Sequence, residues 1–251
     1  MDHFDLAFDV QAKMIEMFGA KGVYHCDKHG EYDGWERNHR CGKCVSIEKE
    51  REERQQAIAR QAAIQAARWA ESGMPSKFCG INLNDWHAQT AEQKSTLEVA
   101  RKFAKGDVKR LLLIGNCGTG KTMLAAGMIG EMALNGLRPV YSTSARLIRS
   151  IRDTWSKKES EQQAMDRFIG CDVLVVDELG AGRCTEDDKL MLSEILCDRY
   201  SSDMPTLLIS NMNAQQLKEK VLDERAVDRM REGGVVKAMK WQSYRGLKVV
   251  A

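Results

Sequence analysis

Residues 110–122 read RLLLIGNCGTGKT: an apolar run, then a glycine-rich stretch, then lysine and threonine. RLLLIG (110–115) has the length and composition of a buried strand. KTMLAAGMIGEMALNG continues beyond it as a helix that stops at Gly136. GNCGTGKT (115–122) between them fits G-x-x-x-x-G-K-[ST] in the strand-to-helix context that the motif requires. Gly115, Gly118 and Gly120 let the backbone curl, so that the N–H groups of the loop, with Asn116, Cys117 and Thr119, face phosphate oxygens. The helix start adds positive potential. Lys121 reaches the terminal phosphates and Thr122 can ligate Mg²⁺. The expected ligand is ATP with Mg²⁺.

Downstream the pattern alternates. RPVYSTS is a strand, ARLIRSIRDTW a basic helix, and CDVLVVDE (171–178) an apolar strand ending in two acids. DDKLMLSEILCDRY is a helix, PTLLISN (205–211) a strand, and VVKAMKW (235–241) a last strand. Strands alternating with helices predict an α/β fold whose parallel sheet carries helices on both faces. In such sheets ligands bind at the C-terminal strand ends. Asp177 there is expected to hold Mg²⁺ through water, and Glu178 to orient and deprotonate an attacking water. Asn211, at the end of the next strand, can position that water, although Asn also suits strand ends and turns.

The chain has 251 residues, 43% hydrophobic and 29% charged, with a net charge of +2. That accommodates a real core and names no partner. No apolar run approaches the length of a membrane span. The start, MDHFDLAFDV, lacks a basic n-region and does not read as a secretory signal. The expected location is the cytoplasm, where five of the eight cysteines (Cys79, Cys117, Cys171, Cys184, Cys197) stay free thiols.

The other three cysteines lie in CDKHGEYDGWERNHRCGKC (26–44). Cys26-x-x-His29 and Cys41-x-x-Cys44 form two short knuckles, which together give the four ligands of a structural Zn²⁺ site. His25 and His39 are spare candidates for the fourth position. Ahead of this segment, Phe4, Ala7, Phe8, Met14, Ile15 and Phe18 fall at helical spacing. Behind it, residues 46–73 lack proline and are rich in Ala, Gln, Glu and Arg, which predicts a long solvated helix ended by Gly73 and Pro75. The expected organisation is a zinc-binding domain over 1–45, a linker helix over 46–73 and an ATPase domain over 74–251.

GNCGTGKT, VLVVDELG, LLISN, ERAVDRM (224–230) and WQSYRG (241–246) follow one another in an order that resembles the DnaC/IstB group of AAA+ ATPases, most closely the DnaC-type helicase loaders. The resemblance covers about residues 73–248 and includes the lead-in SGMPSKFCGINLNDW (72–86). It implies that Arg229 is an arginine finger offered to a neighbouring subunit's ATP, and that Arg245 is the second sensor arginine, acting on its own subunit's nucleotide. Arg225 stays open between an interface role and a solvated surface. It further implies assembly into an ATP-dependent spiral or ring, a DnaB-type replicative helicase as partner, and contact with single-stranded DNA. Residues 138–158 hold six basic residues and one acid, with Arg149, Arg152 and Trp155 at spacings of three. These three can bind DNA by stacking and phosphate contacts, or form an amphipathic helix with Trp155 packed inside. The zinc cluster is not expected of the familiar DnaC loaders, so its partner stays open between protein and nucleic acid. A transposition helper of the IstB kind, acting on duplex DNA, shares the same ATPase. A nucleotide-binding regulator without turnover is a third class, against which the intact Glu178 argues. The host helicase, the subunit number and a cellular or phage origin are not written in these motifs.

Overall fold

Leu111 and Leu113 pack into one apolar cluster and Leu112 and Ile114 into another. A strand whose alternate residues enter two cores is covered on both faces. The structure, a computed structural model, describes residues 13–38, 40–156 and 160–244, and for Trp155 and Ser156 the backbone alone. It forms two compact units, divided between Ala62 and Ala63.

The larger unit carries a five-stranded sheet of β3 (Arg110–Gly115), β4 (Pro139–Thr143), β5 (Val173–Leu179), β6 (Thr206–Ser210) and β7 (Gly234–Met239). The spatial order is β4-β5-β6-β3-β7, and every neighbouring pair is parallel. The P-loop ATPase sheet expected from the sequence is therefore present. On one face α2 (Ala91–Lys105) and α3 (Lys121–Leu134) bury Phe103, Leu124, Met128 and Ile129 against the sheet. On the other, α4 (Ser144–Arg152), α5 (Glu161–Ile169) and α6 (Glu186–Ser201) bury Leu147, Ile151, Met165 and Ile195. Each such side chain contributes about 1.5–3 kcal/mol of burial. Two short helices, α7 (Ala214–Lys220) and α8 (Glu224–Arg231), lie between β6 and β7 in the sequence. Helix α2, absent from the sequence-based element list, starts with a reciprocal capping box: Thr90 accepts from the Gln93 amide while the Gln93 side chain accepts from the Thr90 amide.

Arg199, inside α6, is fully buried. Its guanidinium donates to the carbonyls of Phe168, Ile169, Cys171 and Pro205 and to the Thr206 hydroxyl. It ties the end of α5 to the starts of β5 and β6. Burial lowers its pKa, and the ring of acceptors supplies what water would otherwise give the charge.

The smaller unit holds an antiparallel hairpin, β1 (Lys21–Cys26) and β2 (Gly30–Trp35), with Cys26 opposite Gly30. Neither strand is a sequence-based expectation. β1 alternates exposed and half-buried residues, and β2 does so up to buried Gly34, neither with an apolar run. Residues 13–18 are helical, and Ile15 on them is exposed rather than inward-facing. Phe18 packs on Trp35 with ring centroids 6.4 Å apart. Phe4, Ala7 and Phe8 lie outside the described residues. The long helix, α1 (Gly42–Glu71), begins four residues before the expected start and takes Cys44 into its first turn. No helix among the described residues is long and apolar enough to cross a membrane.

Candidate functional site

The loop 115–120 needs glycine for reasons the geometry states. Gly115 has φ 142°, and a Cβ there would collide with the Met239 carbonyl of β7. Gly120 has φ 95°, and its Cβ would stand 2.8 Å from the Trp86 indole nitrogen. Lys121 opens α3 with its ammonium folded onto the loop, donating to the carbonyls of Gly115 and Asn116, both at 2.7 Å. The Thr119 hydroxyl closes the turn on the Asn116 carbonyl at 3.0 Å. Gly118, Lys121, Thr122, Asp177, Glu178 and Asn211 line one cavity, to which Cys117 and Gly120 also contribute. The structure thus gathers the P-loop, both acids and the strand-end asparagine in a single place.

Asp177 is buried and accepts three hydrogen bonds. Thr122 Oγ1 (2.8 Å) and Tyr141 Oη (3.0 Å) donate to Oδ2, and the Glu178 amide (2.6 Å) donates to Oδ1. Tyr141 is also buried, and its phenol is pushed well above its ordinary pKa by burial and then by the Asp177 charge. It therefore stays a donor. Glu178 is exposed and sits at φ 56°, in the left-handed region that non-glycine residues rarely occupy. The β5–β6 register shifts between Val176 and Leu179, so a bulge turns Glu178 out of the strand and into the cavity. Such a strained residue beside a buried acid persists only where the surrounding structure holds it.

Five further residues were given no individual role by sequence reasoning. Phe78, from the turn Ser76–Phe78, and Tyr244 line the cavity. The Tyr244 amide donates to the Gly118 carbonyl at 2.9 Å, and the Trp241 indole donates to the Thr119 carbonyl at 3.0 Å. Gln93 donates to the Tyr244 hydroxyl at 2.6 Å. The segment leading to Arg245 is thus fastened to the phosphate loop, while Arg245 itself lies outside the described residues. Tyr141 is the fifth. Its chain position gives no hint, because its contact depends on strand register.

Arg229, on α8, does not line its own chain's cavity. Its guanidinium lies 4.7 Å from the centroid of the Tyr200 ring and 3.8 Å from the Glu232 carboxylate. Arg225 is highly exposed and pairs with Asp223 at 3.6 Å. Arg149 is exposed on α4, which ends at Arg152. The Arg152 guanidinium pairs with buried Asp188 at 2.8 Å and donates to Thr185 Oγ1 at 3.3 Å. The Trp155 side chain lies outside the described residues, so among the described residues the spacing-of-three reading of 149, 152 and 155 keeps Arg149 as its exposed cation.

In the smaller unit Cys26, His29, Cys41 and Cys44 place their ligand atoms within 4.8 Å of one another. Cys26 and His29 stand at either end of the hairpin turn, and Cys41 and Cys44 at the start of α1. Cys26 Sγ to Cys44 Sγ is 3.7 Å. His29 Nδ1 is 3.6, 3.6 and 3.3 Å from the sulfurs of Cys26, Cys41 and Cys44. A tetrahedral Zn²⁺ with Zn–S near 2.3 Å and Zn–N near 2.05 Å has S···S edges of about 3.8 Å and S···N edges of about 3.6 Å. The donor set therefore fits zinc in type, number and spacing. The Lys28 amide, donating to Cys26, lowers that thiol to about 6, and the hydrogen bond to Cys26 raises Cys44 to about 11. Of the two spare histidines, His25 is on β1 outside this group, and His39 lies outside the described residues.

The parallel sheet, the phosphate loop and the acidic strand end define a P-loop ATPase of the AAA+ class. Residues 45–248 match the family of IstB-like ATP binding proteins, and the chain belongs to that family. It is 28% identical over 206 residues to the replicative helicase loader DnaC of Escherichia coli K12, a match that spans 77% of this chain and 84% of that one. Among solved structures, the DnaC helicase loader aligns with a TM-score of 0.59 at 20% identity, over 65% of this chain and 99% of that one. The replication initiator DnaA bound to AMPPCP and single-stranded DNA aligns with a TM-score of 0.58 at 20% identity, over 68% and 52%. At these identities the structural matches establish the fold.

Proposed function

We propose that this ATPase loads a ring-shaped replicative helicase onto single-stranded DNA in the cytoplasm. The observation that carries the reading is the sequence match to the DnaC loader over most of both chains. Binding of ATP by several copies builds a spiral or ring, and hydrolysis releases the loader from the helicase.

The chemistry follows from the cavity. Lys121 exchanges the Gly115 and Asn116 carbonyls for β- and γ-phosphate oxygens, and the loop amides complete the cradle. Thr122 and Asp177 are the residues that hold Mg²⁺, which when bound supplies positive charge to the phosphate oxygens. Glu178 takes a proton from the attacking water, and Asn211 fixes that water's orientation. Arg229 serves a neighbouring copy's nucleotide, a reading supported by its not lining its own chain's cavity, and Arg245 serves its own. Arg149 contacts DNA phosphate, whereas Arg152 keeps the charge of buried Asp188 compensated.

The zinc-binding unit docks the helicase. Four protein ligands fill a zinc shell and leave no open position, so the role is structural. Its boundary with the ATPase lies within α1. The family's IstB description supports a second reading, a transposition helper on duplex DNA. Purified chain in ATP, presented with replicative helicase, transposase, and single- or double-stranded DNA, separates the two. Helicase capture with single-strand preference is expected. Capture of transposase with duplex preference would overturn it.

A further inference from the structure

Five residues outside the nucleotide cavity form a charged cluster around one aromatic ring. Tyr200, near the end of α6, has the guanidiniums of Arg229 and Arg110 over its ring, at 4.7 and 4.9 Å from the centroid. Its hydroxyl donates to the Glu232 carboxylate. That carboxylate also pairs with Arg229 at 3.8 Å, while the Glu232 carbonyl accepts from Arg110 Nε at 2.8 Å. Asp203 pairs with Arg110 at 3.4 Å. We infer that Tyr200 and Glu232 form a cradle that positions Arg229 for the nucleotide of a second copy of this chain. The inference rests on the reading of Arg229 as a finger.

The two halves of the cradle differ in permanence. The ring is fixed at its hydroxyl, and Arg110, largely buried, ties the same corner of β3 to residue 232. A cation over a fixed ring keeps its attraction while its N–H groups remain free for another partner. The Arg229–Glu232 pair is long and exposed on both sides, and such pairs are weak and readily exchanged. An incoming phosphate can therefore replace Glu232 as the anion while Tyr200 holds the guanidinium plane. A flexible arginine held this way loses less freedom when it engages, and that lowers the cost of assembling the site. The Glu232 acceptor also raises the Tyr200 pKa, which keeps the phenol a donor.

The test compares full-length wild type with Tyr200→Leu, Glu232→Lys, Arg229→Ala and the double variant Tyr200→Leu/Arg229→Ala. Turnover is read against protein concentration, ATP affinity in dilute protein, and thermal stability throughout. Tyr200→Leu is expected to lower assembly-dependent turnover about tenfold with ATP affinity unchanged within about twofold. The double variant is expected to match Arg229→Ala alone, since the ring acts only through the arginine. Glu232→Lys, at an exposed position, is expected to lower turnover similarly, and it carries the test should Tyr200→Leu lose stability. Normal assembly-dependent turnover in Glu232→Lys, or a double variant slower than Arg229→Ala by the full Tyr200→Leu factor, overturns the cradle. Normal turnover in Arg229→Ala overturns the finger reading, and the cradle with it. A slow Arg229→Ala beside a normal, folded Tyr200→Leu overturns the cradle alone.

Discussion

The smaller unit, with its Cys/His cluster, and the ATPase unit hold themselves together by opposite means. In the first, the only buried residues among those described are Gly19, Gly34 and Cys41. In the second, two apolar clusters enclose a sheet whose central strands are buried on both faces. A small unit with almost no core needs cross-links or metal, and a five-stranded sheet does not. The difference predicts that the two fail separately. Chelation, or Cys41→Ser with Cys44→Ser, should remove a stabilisation on the order of 10 kcal/mol from the first unit. The β1–β2 amides should lose their exchange protection, while ATP affinity and the main thermal transition stay unchanged. Hairpin protection that survives a zinc-free preparation would break the comparison.

The reverse experiment targets Arg199. Replacing it with leucine removes its donors from the carbonyls of Phe168, Ile169, Cys171 and Pro205, of which Phe168 keeps the Cys171 thiol and Pro205 the Leu174 amide. The expected cost is roughly 3–5 kcal/mol, a fall of roughly 6–20 °C in the main transition at about 2–4 °C per kcal/mol. The hairpin's zinc content should not change. A shift of a degree or two would mean that water or a rearranged α5 replaces the guanidinium.

The same contrast explains what could be read in advance. Strands β3, β5 and β6 were legible because burial on both faces writes a continuous apolar run, as in LLLI, VLVV and LLIS. The phosphate loop and the two acids were legible because their residue types are dictated by chemistry at fixed spacing. The β1–β2 hairpin was illegible for the converse reason: KGVYHC and GEYDGW bury little, so no periodicity marks them, and only their knuckle ligands stood out. Helix α1 was expected to begin at residue 46, since Cys41 and Cys44 read as a ligand knuckle. The structure merges knuckle and helix, with the Val45 amide bonded to the Cys41 carbonyl. Arg199 and Tyr200 looked like the polar end of a helix. Their roles depend on strands far along the chain that meet only in the fold.

Within the larger unit, one residue uses the rigidity of the sheet directly. Glu178 is held in a left-handed conformation by the bulge in β5, and its carbonyl accepts from Ser144 at 3.1 Å. Glu178→Gln keeps that backbone and removes the proposed base. Hydrolysis should slow by about 10²–10³-fold with ATP affinity intact, so that single-turnover assays show bound ATP persisting. Equal rates for variant and wild type would remove Glu178 from the chemistry, and the strain would then need another explanation.

The smallest effect expected is at Tyr141, which sharpens how far the sheet's order extends to Asp177, the carboxylate proposed to hold Mg²⁺. Tyr141 and Thr122 both donate to Asp177 Oδ2, and the Glu178 amide holds Oδ1. If Thr122 turns its hydroxyl toward Mg²⁺, Tyr141 becomes the one side-chain donor still fixing Oδ2 among the hydrogen bonds described. Two effects of Tyr141→Phe oppose each other. Losing a donor makes the carboxylate a stronger acceptor for the water that would link it to Mg²⁺, and losing the orientation makes it a less well aimed one. Outer-shell groups of a metal site are worth roughly 10–100-fold in affinity, which sets the scale for misaiming Asp177, whereas the gain in basicity from one neutral donor is smaller because the Glu178 amide remains. Orientation should win. The Mg²⁺ concentration for half-maximal hydrolysis should rise about tenfold, with turnover at saturating Mg²⁺ within about twofold of wild type. Phenylalanine fills nearly the same buried space, so the fold should tolerate the change. An unchanged Mg²⁺ titration would show that Thr122 and the Glu178 amide aim Asp177 unaided, and that the Tyr141 hydroxyl only satisfies its own burial.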